Sequence, residues 1–310
     1  MEIKKLKNKK ILVTGGAGFI GSHTVDALIK KGAKVIIVDN LSTGRKENLN
    51  PKARFYQLNI ADPKIEKIIE KEKPEIIYHF AFFVSVPKST QNPLLDSDCL
   101  IGSVRILMAV NRLKVFNKFV FASSGFLYGN SQTLPHKEIS PIDPISSYIV
   151  TKRAVENYLE FFKKVFGVPY VIMRYATVYG PRQIKGAMAD YIKKLSTNKQ
   201  AKIWGNGKKT RDYVFIEDVV RANLMMLDIN KDHPDPIFNI GTGVETTLNN
   251  LYIKIANLLK KKPAPIYFPD RPGELLRFAL DSSKIKKELG WQTKIFLDQG
   301  LKKLLATKNK

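Results

Sequence analysis

The segment TGGAGFIG, from Thr14 to Gly21, narrows the fold more than any other stretch of the chain. It follows the aliphatic run ILVT and opens a helical pattern from Ser22 to Lys31. Gly15, Gly18 and Gly21 remove Cβ atoms at this junction, so backbone amides and a helix N-terminus can face a pyrophosphate directly. Glycines alone are a weak sign, but Asp39 closes the next aliphatic run, KVIIVD, 18 residues after Gly21. A carboxylate at that strand end accepts hydrogen bonds from an adenosine ribose, which favours NAD over NADP. Arg45, in the following loop, is the feature that leaves a 2′-phosphate open.

The alternation continues with RFYQLNI, a helical stretch from Pro63 to Lys73, EIIYHFA (Glu75 to Ala81) and a helical stretch from Leu94 to Leu113. KFVFASS (Lys118 to Ser124), a longer helix from Ser147 to Phe166 and VPYVIMRY (Val168 to Tyr175) complete it. Aliphatic strands alternating with amphipathic helices predict an α/β fold, a Rossmann-type doubly wound parallel sheet covered on both faces. Beyond Gly180 the rhythm breaks at Pro181, Gly186, Gly205, Gly207 and again at Pro263, Pro265, Pro269 and Pro272. The expected division is therefore an NAD-binding domain over residues 1–175, to which about 210–242 returns, and a smaller C-terminal substrate-binding domain over 176–310.

Composition excludes several classes. At 310 residues, 44% hydrophobic and 26% charged, the chain reads as globular rather than disordered. Its one cysteine, Cys99, precludes an intramolecular disulfide, and His23, His79, His136 and His233 are too scattered for a metal cluster. A reducing, cytoplasmic setting and no metal are the expectation. The apolar run after the basic N-terminus holds four glycines, making a poor secretory core, and no run approaches the roughly 20 residues that span a bilayer. The net charge of +24 would attract phosphates. Its lysines, however, lie in small groups such as Lys163-Lys164 and Lys208-Lys209 beside amphipathic stretches, the pattern of solvated helix faces. Neither a nucleic-acid nor a membrane partner is expected.

Tyr148 and Lys152 stand four apart in the expected helix and share one face. An ammonium so placed lowers the phenol's pKa and holds a cofactor ribose, letting the tyrosine act as a general base near neutral pH. Spacing alone carries little, since twelve tyrosines in a lysine-rich chain give roughly one or two such pairs by chance. Position lifts the pair: it follows FVFASS, whose C-terminal end sets Ser123 and Ser124 beside the expected nicotinamide position. A serine hydroxyl beside the tyrosine makes a proton relay.

With these segments the chain resembles the extended short-chain dehydrogenase/reductase family and, within it, the NAD-dependent nucleotide-sugar 4-epimerases. The resemblance runs from Lys10 almost to the C-terminus through TGGAGFIG, VDNLSTG, HFA, SSGFLYG, SYIVTK, RYATVYGPRQ, GNGKKTRDYVFIEDV, FNIGTG and RPGE. It implies a tightly held NAD, a nucleoside-diphosphate sugar as substrate, a UDP-hexose in particular, and an isomerase that inverts C4 through a 4-keto intermediate. By the same resemblance Ser124, Tyr148 and Lys152 are catalytic. Asp39, Asn40, Ser42 and Ile60 cradle the adenosine half, while Ala81 and Lys152 contact the nicotinamide side. Gly15, Gly18, Phe19, Ile20, Gly21, Thr43, Gly44, Asn59, Phe80, Ser123, Tyr148 and Tyr175 complete the cofactor site. Ser85, Ser124, Tyr148, Thr177, Arg211 and Arg271 bind the sugar nucleotide, the arginines suiting its diphosphate. A homodimer through the helices after Leu94 and around Tyr148 to Phe166 is also implied.

Related dehydratases and decarboxylases carry an acidic residue just after the catalytic serine or threonine, where this chain has Gly125, Phe126 and Leu127. Elimination of water then lacks an obvious acid or base, which favours epimerisation. An idle binding scaffold would need none of Ser124, Tyr148 and Lys152. The chain departs from the family pattern at Asn59, in place of an adenine-binding Asp, and at Cys99 and Thr177, each where many members have Asn. Phe126 stands where a small residue is common, and Phe278 stands at a position that gates sugar size. With both rings facing the sugar, simple hexoses are preferred over N-acetyl sugars.

Overall fold

The computed structural model describes residues 6–83, 86–131, 133–261, 264–271 and 273–307. Its main sheet is built from β1 (Lys10–Thr14), β2 (Lys34–Asp39), β3 (Arg54–Gln57), β4 (Ile76–His79), β5 (Lys118–Ser124), β6 (Tyr170–Tyr175) and a late strand, Ile237–Ile240. From that late strand the order is β6, β5, β4, β1, β2, β3, a Rossmann arrangement with its order reversing between β1 and β4. Strand β1 pairs in parallel with β2 and β4, Val13 lying opposite Ile37 and Tyr78. Burial on both faces explains the near-continuous aliphatic strands, with Ile11, Leu12 and Val13 fully enclosed.

Helices α1 (Phe19–Lys30), α2 (Lys64–Glu72), α3 (Val86–Gln91), α4 (Ser97–Asn111) and α5 (Ser147–Phe166) connect these strands. Helix α1 begins three residues before the expected Ser22, so the glycine segment runs straight into its first turn. The helix expected from Leu94 opens instead as a 3-10 turn, Pro93–Asp96, because the Asn92 side chain accepts the Leu94 amide at 3.2 Å ahead of Pro93. Helix α3 has no counterpart in the sequence pattern; it is one and a half turns long, too short for periodicity to register. Helix α5 has the bounds its pattern predicts and ends at Gly167, left-handed at φ 73°.

Contacts divide the chain into two compact units. The first takes the chain up to Leu127 with Ser146–Arg174 and Val220–Phe238. The returning segment is tied in by buried polar groups: Lys118 Nζ donates to the carbonyls of Met226 (2.7 Å), Leu227 (3.2 Å) and Ile229 (2.5 Å), and Tyr78 donates to the Asn223 carbonyl at 2.8 Å.

The second unit takes Tyr128–Ile145, Tyr175–Val219 and the chain from Asn239 onward. It contains β7 (Thr177–Tyr179), α6 (Ala187–Ser196), β8 (Lys202–Trp204) and β9 (Thr210–Phe215), and α7 (Ile216–Met225) begins in it. Ile237–Ile240 is β10, followed by β11 (Glu245–Thr247), α8 (Leu248–Leu259), β12 (Ile266–Phe268), α9 (Ser283–Leu289) and α10 (Leu297–Ala306). Strand β9 runs parallel to β7 and antiparallel to β11. Residues 128–145, expected within the 1–175 domain, belong to this unit because their pairing is with its later segments. The His136 amide donates to Ala279 O (2.9 Å), the Asp281 amide to His136 O (2.8 Å), and the Leu276 amide to Asn130 Oδ1 (2.8 Å).

Candidate active site

The turn after β1 is shaped by close backbone approach. Gly15 sits at φ +69°, and a Cβ there would stand 2.7 Å from the Ala81 nitrogen. A Cβ on Gly21 would collide with the Gly15 carbonyl oxygen. The Gly18 amide closes the turn on Gly15 O at 3.0 Å, and α1 begins with neither a side-chain cap nor an acidic residue in its first turn. Its first amides and positive dipole end therefore have no competing side-chain anion, as a pyrophosphate site requires. Phe19 and Ile20 form the helix's opening turn, Phe19 standing edge-on to His23.

Asp39 ends β2 with its carboxylate accepting the amides of Ala17 (3.0 Å) and Leu41 (2.8 Å). Burial pushes its pKa up and those two donors oppose the shift. A Cβ on Gly44 would stand 2.7 Å from Asp39 Oδ1, so this glycine leaves room beside the carboxylate. Asn40 Oδ1 accepts the Ser42 amide (3.0 Å), folding the loop that carries Thr43. Arg45 is exposed and its nearest carboxylate is Glu47, at 3.9 Å. Asn59 uses its oxygen on the Ala61 amide (3.0 Å) and its nitrogen on Asp98 (2.8 Å), while Ile60 is buried.

At the end of β4, the His79 ring lies between Thr14 Oγ1 (2.6 Å from Nδ1) and Ser103 Oγ (2.9 Å from Nε2). Thr14 Oγ1 in turn accepts the Ala81 amide at 3.2 Å, fixing the Phe80–Ala81 backbone against β1. The Phe80 ring stacks on Tyr78 at 5.9 Å. Cys99 Sγ accepts the Phe83 amide at 3.1 Å, so the cysteine at a common asparagine position still serves as an acceptor.

Lys152 is buried, its Nζ donating to Ala122 O at 2.5 Å and lying over the Phe82, Phe121 and Tyr148 rings at 3.5, 4.7 and 5.8 Å. Burial draws its pKa down to about 7, opposed by Cys99 and Glu156. Burial also pushes the Tyr148 phenol up, with Cys99 and Asp96 adding to the shift. The sequence leads one to expect the Lys152 ammonium to lower the phenol's pKa; in the chain by itself desolvation is the larger influence, and it disfavours the charge on both groups.

The two serines at the end of β5 point different ways, as strand alternation demands. Ser123 donates to Glu156 Oε1 at 2.6 Å, inside the helix packing, whereas Ser124 Oγ accepts the Phe126 amide at 3.2 Å. Its bond to Glu156 thus commits the Ser123 hydroxyl, placed by resemblance among the cofactor contacts, to holding α5. Glu156 and Phe82 escaped sequence reasoning. The first had a signal, as the only acid two turns beyond Tyr148 on its helical face; the second reads as ordinary core.

In the second unit, Arg211 Nη1 donates to the carbonyls of Thr210 (2.7 Å) and Leu275 (2.9 Å), and burial lowers its pKa. Its neighbour Asp212 is wholly buried and gathers the amides of Thr242 (2.9 Å), Gly243 (3.0 Å) and Leu280 (3.2 Å), which holds β9 in place. The Arg271 guanidinium lies over the Trp204 indole at 3.6 Å. Tyr175 is buried at the end of β6, and Thr177 Oγ1 is buried without a hydrogen-bond partner among the described residues. Phe278 is fully buried against His136, at 6.3 Å, while Phe126 is half-buried. Ser85 lies outside the described residues. Among the described residues there is no group of three His, Cys, Asp or Glu fit for a metal, and no helix long and apolar enough to cross a membrane.

The sequence pattern of the NAD dependent epimerase/dehydratase family matches residues 11–241. A putative UDP-glucose 4-epimerase of Methanocaldococcus jannaschii is 40% identical over 301 residues, covering 95% of this chain and 97% of that protein. The UDP-glucose 4-epimerase of Thermotoga maritima, solved with UDP-glucose, matches with a TM-score of 0.91 at 40% identity, over 97% of this chain and 98% of that one. The UDP-glucose 4-epimerase of Thermus thermophilus, in complex with NAD, matches with a TM-score of 0.90 at 31% identity, over 96% and 98%.

Proposed function

The chain belongs to the NAD-dependent epimerase/dehydratase family, and from that premise we propose that it is an isomerase interconverting UDP-glucose and UDP-galactose by inversion at C4. The observation that carries this reading is the buried Lys152 amine 5.8 Å from the ring of the partly buried Tyr148, on a fold shared with UDP-glucose 4-epimerases.

Bound NAD would supply a hydride acceptor and donor for C4. Tyr148 takes the proton from the sugar 4-hydroxyl and returns it after the 4-keto sugar has turned over. Ser124 hydrogen-bonds the same oxygen and relays the proton, while Lys152 holds the cofactor's ribose hydroxyls. The Gly15–Gly21 turn and Asp39 receive the cofactor's pyrophosphate and adenosine ribose. We assign the cofactor to the first unit and the diphosphate of the sugar nucleotide to Arg211 and Arg271 of the second, whose guanidinium forks suit two phosphates. Binding energy from the nucleotide retains the intermediate while its sugar rotates.

Dehydration is disfavoured because Gly125, Phe126 and Leu127 bring no carboxylate beside Ser124. Phe278 is enclosed against His136, so a preference for simple hexoses over N-acetyl sugars rests on the half-buried Phe126. The chain acts as a homodimer in a reducing, cytoplasmic setting. Ile101 and Met108 on α4, with Val150, Tyr158, Phe161 and Val165 on α5, leave apolar side chains exposed on the two helices expected to pair.

Tyr148→Phe should abolish C4 inversion of UDP-glucose, followed by proton NMR, with circular dichroism and melting unchanged. Retention of most of the turnover would defeat the assignment of the base. A product about 18 daltons lighter, a loss equal to one water, would mark a dehydratase instead.

A further inference from the structure

The surroundings of Lys152 depend on a residue that no spacing in the sequence singles out. Phe82 follows the HFA loop, is buried, and carries the Lys152 ammonium over its ring at 3.5 Å from the centroid. The same ring stands perpendicular to Tyr148, 6.3 Å between centroids, and packs on Phe121 at 5.8 Å and His79 at 6.0 Å. One side chain therefore touches both members of the pair and is itself braced by β4 and β5. Among the described residues, the amine's hydrogen bond goes to the Ala122 carbonyl and its ring contacts are with Phe82, Phe121 and Tyr148.

We propose that Phe82 is a positioning residue for the Tyr148–Lys152 pair: its π face seats the lysine amine and keeps it charged in a dry pocket, and its packing sets the tyrosine ring. This rests on the reading of Tyr148 and Lys152 as catalytic. The groups that face the amine are Tyr148 and Glu156 on α5, Cys99 on α4 and His79 on β4. His79 is neutral, and Glu156 is already engaged by Ser123 and Arg174. Beside the Ala122 carbonyl and the opposing charges of Cys99 and Glu156, the aromatic face stabilises the cation, and when desolvated such a contact shifts a protonation equilibrium by roughly tenfold. The sign follows: the ring favours the charged amine and burial favours the neutral one, so removing the ring lowers the lysine's titration midpoint from about 7.

The test compares Phe82→Leu, which keeps apolar bulk without a ring, with Phe82→Tyr, which restores the π face. The Lys152 Cε resonance is followed against pH in the full-length chain labelled with 13C-lysine and freed of NAD, and is assigned by its loss in Lys152→Met. The midpoint should fall by about one pH unit in Phe82→Leu and return in Phe82→Tyr. With NAD restored, kcat for UDP-glucose should fall about tenfold in Phe82→Leu with KM within about twofold, and Phe82→Tyr should recover it. Phe82→Met, also ringless, replaces the leucine variant if that one melts early. An unmoved midpoint in a folded ringless variant overturns the proposal, as does equal loss in the leucine and tyrosine variants, which would mean the ring only fills space. Full turnover in Tyr148→Phe would instead sink the catalytic reading, and the amine's titration would still report on Phe82.

Discussion

His79 shows how far one buried side chain can be argued from its neighbours. Ser103 donates its proton to the Cys99 carbonyl at 2.6 Å, so it must accept from His79 Nε2–H. That leaves Nδ1 to accept from Thr14, whose oxygen takes the Ala81 amide. The ring is therefore the neutral Nε2–H tautomer, and burial, aided by Lys152, draws its pKa down to about 3. An unfolded histidine titrates near 6.5, so between about 3 and 6.5 the unfolded chain binds the extra proton. The contribution is complete above about 6.5 and is lost as pH falls, amounting to about 2 kcal/mol by pH 5. Urea unfolding at pH 7 and pH 5 should show this loss in the native chain and a smaller one in His79→Phe; equal losses would mean that His79 is not held neutral by burial. The motif HFA marked this position in the sequence, but only the partners at both nitrogens assign the proton.

Tyr148, Lys152 and Glu156 recur on one face of helix α5, so under the proposed reading one helix presents both the tyrosine and the lysine. Glu156 is fully buried and accepts from Ser123 (2.6 Å), from Arg153 (3.1 Å), and from both Nε and Nη2 of Arg174 (3.1 and 2.7 Å). This joins the helix to β5 and β6 and sets the angle at which it presents Tyr148. Glu156→Ala would leave the Arg174 guanidinium buried without its carboxylate, a loss of about 3–5 kcal/mol. Chemical denaturation would measure it, and a change under about 1 kcal/mol would mean the network does not pin the helix. The extent of α5 could be read from apolar spacing and Gly167; the role of Glu156 could not, since Arg174 comes from a separate strand.

The glycine turn and the Tyr148–Lys152 pair lie in the first unit and Arg211 and Arg271 in the second, and the proposed reading gives the cofactor to the one and the diphosphate of the substrate to the other. Arg271→Ala should raise KM for UDP-glucose about tenfold while kcat changes far less, because a diphosphate contact serves ground and transition states alike. Steady-state kinetics decide, and an unchanged KM would remove Arg271 from the substrate site. Phe161→Lys, which sets a charge on the exposed face of α5, should shift the chain from dimer to monomer in analytical ultracentrifugation without loss of helicity. A dimer that persists would locate the interface elsewhere.

What the sequence determined by itself was local: the β-α rhythm, the glycine turn with Asp39 closing the following strand, the extent of α5 and the spacing of Tyr148 and Lys152. These follow from apolar periodicity, Cβ clearance and helix geometry, which act over a few residues. Tertiary structure decided the rest. It separated Ser123 from Ser124, gave Lys152 its aromatic seat, took residues 128–145 into the second unit, and made desolvation the main influence on the tyrosine. Each of those outcomes depends on burial or on partners distant in the chain, and desolvation does not exist until the chain has closed around the group.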